Sequence, residues 1–319
     1  MKYTYSQLAS DSVLELIKNY YNISDPMTCK FYVPGLHDNY LIECKKNKYI
    51  FRIYRNDWRT NEEIQFEIAL LTYCKQKMLN ISAPVQCKNK DSNIVIECLE
   101  GNRLGVLFDY ADGRSIVNSI SIDEFRLLGA SVANFHANTR SFKTKYTRPT
   151  FDVSFLVDHS LSLIEPFLNI DQRDYFLKVR SKIFDSISQL SIENSDYGIC
   201  IGDINISNFH LNAVKKITHF DFDQCGYGYR VFDLGKFVSS LPNDETKKDK
   251  VSSFLEGYES IRSITDMERN VIPYFELASI IWVMSIYVSN ANRIGYKYLE
   301  NEFWSKRINL IEKLEKNLV

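Results

Sequence analysis

Two polar segments lie between apolar runs in the second half of the 319-residue chain: Gly202-Asp203-Ile204-Asn205-Ile206-Ser207-Asn208 and Phe220-Asp221-Phe222-Asp223. Asn208 follows Asp203 by five residues, and Asp221 follows it by eighteen. Carboxylates and side-chain amide carbonyls are hard oxygen donors, the ligands a hard divalent cation takes. A carboxylate can also orient a hydroxyl and accept its proton. The residue types therefore suit a reaction in which a hydroxyl attacks a centre whose negative charge a cation offsets.

Such groups must be held by a scaffold, and the chain supplies its parts in order. Residues 6–22 carry Leu8, Val13, Leu14, Leu16 and Ile17 at helical spacing. CKFYVP (29–34), NYLIECKK (39–46) and KYIFRIYR (48–55) read as three antiparallel strands. Thr60 with Glu63 makes a capping box that opens a helix bearing Ile64, Ile68 and Leu71. NIVIECL (93–99) and LGVLFDY (104–110) add two strands about a turn at Glu100-Gly101-Asn102. Beyond Asp112-Gly113 the texture is helical. A second capping box, Ser121 with Glu124, precedes Phe125, Leu128, Val132 and Phe135 at helical spacing. Further helices are expected over about 153–168 and from about 171, and residues 199–222 break into short β-like pieces around the polar loop. The fold class is α+β and bilobal: a small β-rich lobe over 1–110, a hinge at 108–113, and a larger α-rich lobe over 114–319 that carries the catalytic loop and the acceptor site.

In protein kinases a catalytic-loop Asp accepts the substrate hydroxyl proton. An Asn five residues on holds Mg²⁺, as does an Asp on a later strand. The spacings here are the same. IGDINISN followed by ITHFDFDQCGYGYRVFDLGKF resembles the aminoglycoside-phosphotransferase-like family, relatives of type II homoserine kinase, choline kinase and bacterial stress-response kinases. That pattern runs H-G-D-x-x-x-x-N, then D-F or D-W-x-D, a Gly-rich turn and Y-D-L-A. FRIYRNDWRTNEEIQFEIALL is similar to the family's third strand and inserted helix, LFDYADGRSI to its lobe connector, and LLGASVANFHA to its long helix. The resemblance covers most of residues 28–285. It implies a protein-kinase-like fold using ATP and Mg²⁺, with Asp203 as base and Asn208 and Asp221 as metal ligands. Arg52 stands where many kinases place a strand Lys, with Glu67 as its partner. The Asp109 carbonyl and Ala111 N–H are the implied adenine contacts, flanked by Phe108. Asp223 reads as a second-metal ligand or a loop residue, Asp233 as an anchor for the loop, and His136 as a packing or hydrogen-bonding residue. Ile201 replaces the family's His before Gly-Asp, which is expected to change loop rigidity and leave the chemistry intact.

Composition narrows the rest. Hydrophobic residues make up 45 % and charged residues 25 %, a globular mixture, and the net charge of −1 offers no field for nucleic acid or a membrane. The seven cysteines form no C-x-x-C pair, which argues against a disulfide framework or a zinc site. No stretch is expected to span a membrane, and the polar N-terminus is a poor signal peptide, so the expected compartment is the cytoplasm. The partner is a small-molecule hydroxyl acceptor. Residues 151–200, with eight acidic and four basic side chains, favour a cationic one such as an amino alcohol, an amino acid or an aminoglycoside. A protein Ser/Thr kinase and a nucleotide-binding pseudokinase are the alternatives, and the oligomeric state stays open.

Overall fold

The computed structural model describes the chain except residues 24–26, 116, 118–119, 194–195, 317 and 319. In chain order the elements begin with α1 (Ser10–Tyr20), β1 (Thr28–Pro34), β2 (Asp38–Glu43), β3 (Lys48–Ile53), α2 (Asn61–Gln76), β4 (Ile94–Cys98) and β5 (Gly101–Asp109). There follow β6 (Arg114–Ser115), α3 (Ile122–Asn138), a π-helical turn (Ser154–His159), α4 (Ser160–Ile164) and α5 (Ile170–Ile187). Then come β7 (Tyr197–Cys200), β8 (Phe209–Leu211), β9 (Ile217–His219), β10 (Gly226–Tyr229), α6 (Val231–Ser240), α7 (Lys247–Glu259), α8 (Asp266–Ser289), α9 (Ala291–Ile294) and α10 (Asn301–Glu315). Two compact units result. The first holds Met1–Arg114, Phe142–Arg148 and Phe209–Phe220; the second holds Ser115–Ser141, Pro149–Asn208 and Asp221–Val319.

In the first unit the strands order as β1-β2-β3-β5-β4, antiparallel at every step. Successive strand residues face opposite sides. Tyr40, Ile42, Phe51, Ile53 and Leu107 accordingly share one core cluster with Val13 and Ile17 of α1. Arg52 lies one residue out of phase with Phe51 and Ile53 and pairs across the ladders with Asn39 and Val106. The predicted capping box at Thr60 and Glu63 opens α2. Its partner at Ser121 and Glu124 opens α3 in the second unit.

The second unit is helical around α8. This 24-residue helix is an exception to the expectation that no stretch could span a membrane, since its length and apolar composition suffice. Yet 67 % of that apolar window is buried inside the protein. A helix apolar on all sides is what a core position requires, and Leu277, Ala278, Ile281 and Met284 are buried there. The helix expected over 153–168 is present as one continuous helical run to Phe167, π-helical at first, then α and finally a 3₁₀ turn.

Helices α3 and α7 approach closely because each offers a glycine. A Cβ added at Gly129 would sit 1.8 Å from the Phe254 carbonyl oxygen, and one at Gly257 would sit 1.9 Å from that of Arg126. Backbone cannot yield as a flexible side chain does. Gly257→Ala is therefore expected to destabilise the protein by about 1–3 kcal/mol, the usual cost of overpacking. The denaturant midpoint measures this; an unchanged midpoint would show that the helices separate freely.

Candidate active site

β7 pairs with β10 from Cys200↔Gly226 to Tyr197↔Tyr229, a two-stranded ribbon that ends at the polar loop. The chain leaves β7 through Gly202 at φ +89°, where an added Cβ would lie 2.1 Å from the Gln224 carbonyl oxygen. Glycine meets both demands, the left-handed backbone and the close approach. Asp203 comes next. The Asn208 side-chain amide donates to the Asp203 carbonyl oxygen and to Oδ2, at 3.0 Å each. The Asn208 amide oxygen accepts from Ser207 Oγ at 3.4 Å. Asp203 Oδ1 pairs with Lys236 Nζ at 2.8 Å. Burial raises the Asp203 carboxyl, but the charge and hydrogen bond of Lys236, helped by Asn205 and Asn208, outweigh it and hold the group below the ordinary carboxylate value.

Asp221 opens the next segment of the second unit with φ +62°. Phe222 behind it is buried against Phe135, with ring centroids 5.6 Å apart, and fixes the segment in the core. Asp223 is buried and accepts from Gln224 Nε2 at 3.2 Å. No group of three or more His, Cys, Asp or Glu converges as a metal cage among the described residues. Asn208 and Asp221 both belong to the second unit and carry oxygen donors of the kind a hard cation takes.

Helix α6 holds the loop from below. The Asp233 carboxylate accepts the Ile201 N–H at 2.7 Å and the Gly202 N–H at 2.9 Å. His136 Nε2 lies 2.8 Å from the same carboxylate, and its Nδ1 lies 2.8 Å from Tyr258 Oη. Burial lowers the His136 pKa and keeps the ring neutral. Nε2–H therefore donates to Asp233, Nδ1 accepts from Tyr258, and Arg262 donates to Tyr258 Oη at 2.9 Å. Asp233 is thus the anchor for the loop, and a buried relay fixes Asp233 in turn. Ile201 contributes its backbone N–H and a buried apolar side chain, so the loop is secured without a His at that position. Lys236 escapes a reading of the sequence. The signal available was the pair Asp233 and Lys236, three apart and so on one helical face, in the otherwise apolar VFDLGKF.

The first unit gathers the other candidates. Arg52 Nη1 lies 3.3 Å from Glu67 Oε1, and its Nε donates to Asn39 Oδ1 at 3.3 Å. Tyr54 Oη donates to Glu67 Oε2 at 3.0 Å. The Arg52 guanidinium stands 5.4 Å from the Phe108 ring centroid, and Glu67 is fully buried. The Asp109 carbonyl accepts from Ser82 Oγ at 2.5 Å, leaving one lone pair, while the Asp109 N–H is taken by the Ala83 carbonyl at 2.8 Å. Ala111 is buried; its carbonyl lies 2.5 Å from His210 Nδ1, and its N–H has no acceptor among the described residues. A backbone N–H left so is met by water or by a ligand acceptor. Asn39 and Ser82, which hold Arg52 and Asp109, were not singled out from the sequence.

A sequence model of a family described as the phosphotransferase enzyme family matches residues 30–268. The chain is 31 % identical to an uncharacterized protein of Synechocystis sp. over 97 % of its own length and 86 % of the other's. It is 24 % identical to the amicoumacin kinase of Bacillus subtilis over 75 % of this chain and 74 % of that one. Among solved structures, an amicoumacin kinase in complex with AMP-PNP and Ca²⁺ superposes with a TM-score of 0.79 at 22 % identity, covering 97 % of this chain and 94 % of that one. A microcompartment-associated aminopropanol kinase gives 0.79 at 18 % identity, with 95 % of each chain covered. At these identities the structures share the fold.

Proposed function

This chain belongs to the phosphotransferase enzyme family, and we propose that it transfers the γ-phosphoryl group of ATP to the hydroxyl of a small amine-bearing alcohol. The observation that carries the assignment is Asp203: a carboxylate gripped at one oxygen by Asn208 and at the other by Lys236, with a third of its side chain still exposed. Asp203 is the base. Arg52, oriented by Glu67, serves the phosphates; Phe108, the Asp109 carbonyl and the Ala111 N–H serve the adenine. Asn208 and Asp221 would hold Mg²⁺, which when bound neutralises charge on the phosphate oxygens.

In the transfer, the acceptor oxygen forms a bond to Pγ while the bond from Pγ to the bridging oxygen breaks and ADP leaves. The hydroxyl proton passes to an Asp203 carboxylate oxygen. A carboxylate held below its ordinary pKa is a weak base, so its main contribution is to orient the hydroxyl and take the proton late. That timing suits the loose transition state of phosphoryl transfer.

The amine-bearing acceptor is supported by likeness to kinases named for such compounds, aminopropanol among them. The acidic surplus in residues 151–200 supports it less than expected. Asp158 pairs with Arg180 and Glu165 with Arg173, a solvated face that satisfies itself. Neither a protein acceptor nor a transfer-incompetent module is favoured. ADP release measured over amino alcohols, aminoglycosides and amine-free polyols tests the proposal. Turnover confined to protein acceptors, or nucleotide binding with no transfer, would overturn it.

A separate expectation concerns the metal ligands. Asp221→Asn keeps an oxygen but removes a charge, so Mg·ATP affinity and turnover should fall together. Asp223→Asn should have the smaller effect. Calorimetric titration of ATP with and without Mg²⁺ distinguishes them; a reversed ranking would exchange the two roles.

A further inference from the structure

We propose that Lys236 is a positioning residue for phosphoryl transfer, acting through Asp203; the inference rests on the assignment of Asp203 as base. The starting point is helix α6. From Val231 to Val238 every residue is buried, and the only charged ones are Asp233 and Lys236. These two share one face, and both reach consecutive residues of the loop: Asp233 takes the backbone of Ile201 and Gly202, and Lys236 takes the side chain of Asp203. The polar face of α6 thus serves residues 201–203.

The two contacts differ in kind. Asp233 belongs to a satisfied network that runs through His136 and Tyr258 to Arg262. Lys236 is 4 % exposed, and Asp203 is its one side-chain partner among the described residues. Among the described residues no other ion pair of its ammonium ties α6 to a further element. Packing alone would be met by Leu or Met, since a buried ammonium costs several kcal/mol unless it is paired. The cation is sequestered, whereas its carboxylate partner is a third exposed. Lys236 therefore stands behind Asp203 and leaves the front of the carboxylate open to a hydroxyl. With Lys236 on Oδ1 at 2.8 Å and Asn208 on Oδ2 at 3.0 Å, rotation of the carboxylate is blocked from both sides. Without Lys236 the carboxylate would keep only side-chain amides, those of Asn208 and Asn205, and lose its one charged anchor, and transfer rates are sensitive to misplaced catalytic groups.

The test is a mutant cycle on the purified full chain with the acceptor found to be phosphorylated. Lys236→Met, close in volume and apolar, is expected to lower kcat on the order of 10²-fold, the cost of a misplaced catalytic group. KM for ATP and for the acceptor should stay within about twofold, because uniform binding is untouched. Lys236→Arg should fall between Met and wild type. In an Asp203→Asn background, either change at Lys236 should cost nothing further, since a residue acting through Asp203 has nothing left to act on. Wild-type kcat in Lys236→Met would overturn the proposal, as would a faster Lys236→Met, which would make the pair a brake. An equal loss in both backgrounds would also overturn it, by showing Lys236 to act independently of Asp203. If Lys236→Met does not fold, the cycle run with Lys236→Arg decides by the same comparison. Absence of transfer to any alcohol by the wild type would instead refute the assignment of function and is seen before any variant is made.

Discussion

Asp203→Asn is expected to lower kcat by about 10²–10⁴-fold, the range for loss of a positioned general base. Mg·ATP affinity should change by no more than about twofold, because the base does not bind the nucleotide in the ground state. The substitution preserves shape and removes the proton acceptor. The single amide oxygen can still accept from Lys236, whose ammonium keeps that bond charge-assisted, but the amide nitrogen in place of Oδ2 cannot accept from Asn208, so one of the two contacts is lost. Initial rates of ADP release give kcat, calorimetry gives the affinity, and circular dichroism checks the fold. A variant with near wild-type kcat on the true acceptor would remove Asp203 from the base role. A large loss of nucleotide affinity with kcat unchanged would move it to the binding site.

Glu67→Ala is expected to cost about 3–5 kcal/mol of stability, the penalty for leaving one member of a buried ion pair alone. Arg52 and Tyr54 both lose the Glu67 carboxylate, and both are buried. Arg52 cannot shed its charge, since guanidinium stays protonated at any working pH. Nucleotide affinity should fall as well, because an Arg52 released from Glu67 no longer presents a fixed fork to phosphate. A double replacement, Arg52→Met with Glu67→Leu, separates the two effects. It should regain much of the stability, since apolar packing often replaces a buried pair without loss, yet it should not regain nucleotide affinity. Urea midpoints and ATP titrations on the wild type and the two variants decide the matter. Recovery of ATP affinity by the apolar pair would show that Arg52 has no part in phosphate recognition.

The elements legible in the sequence were those whose determinants are local. Asp203 and Asn208 sit five apart in one loop, and their hydrogen bonds follow from that spacing. The five-stranded sheet follows from short aromatic and β-branched runs, and the starts of α2 and α3 follow from capping boxes written within four residues. What stayed hidden is set by distant partners. Lys236 reads as one more residue of an apolar helix until the loop that carries Asp203 is placed against it. The Asp109 carbonyl is shared with Ser82, 27 residues earlier in the chain. The helical run over 153–167 is set locally as well: Asp152 caps its start by accepting the Phe155 N–H at 2.8 Å, and Pro166 offers no N–H near its end. Helix α8 shows the converse: its composition alone fits a membrane span, and its burial beneath other helices assigns it to a core.

The compact units are interleaved along the chain, and that has a consequence for synthesis. The first unit includes the β8–β9 hairpin, whose His219 carbonyl accepts the Ser82 N–H at 2.8 Å and whose His219 N–H donates to the Asn80 carbonyl at 3.1 Å. When Arg114 leaves the ribosome, that unit is still short of a piece made roughly a hundred residues later. At about 5–20 residues per second the delay is on the order of ten seconds. During it, the main-chain groups of Asn80 and Ser82 have only water to bond. The nascent five-stranded sheet must therefore persist as an incomplete structure while the first two segments of the helical unit are made, and the first unit has all its segments while Asp221–Val319 of the second is still to come.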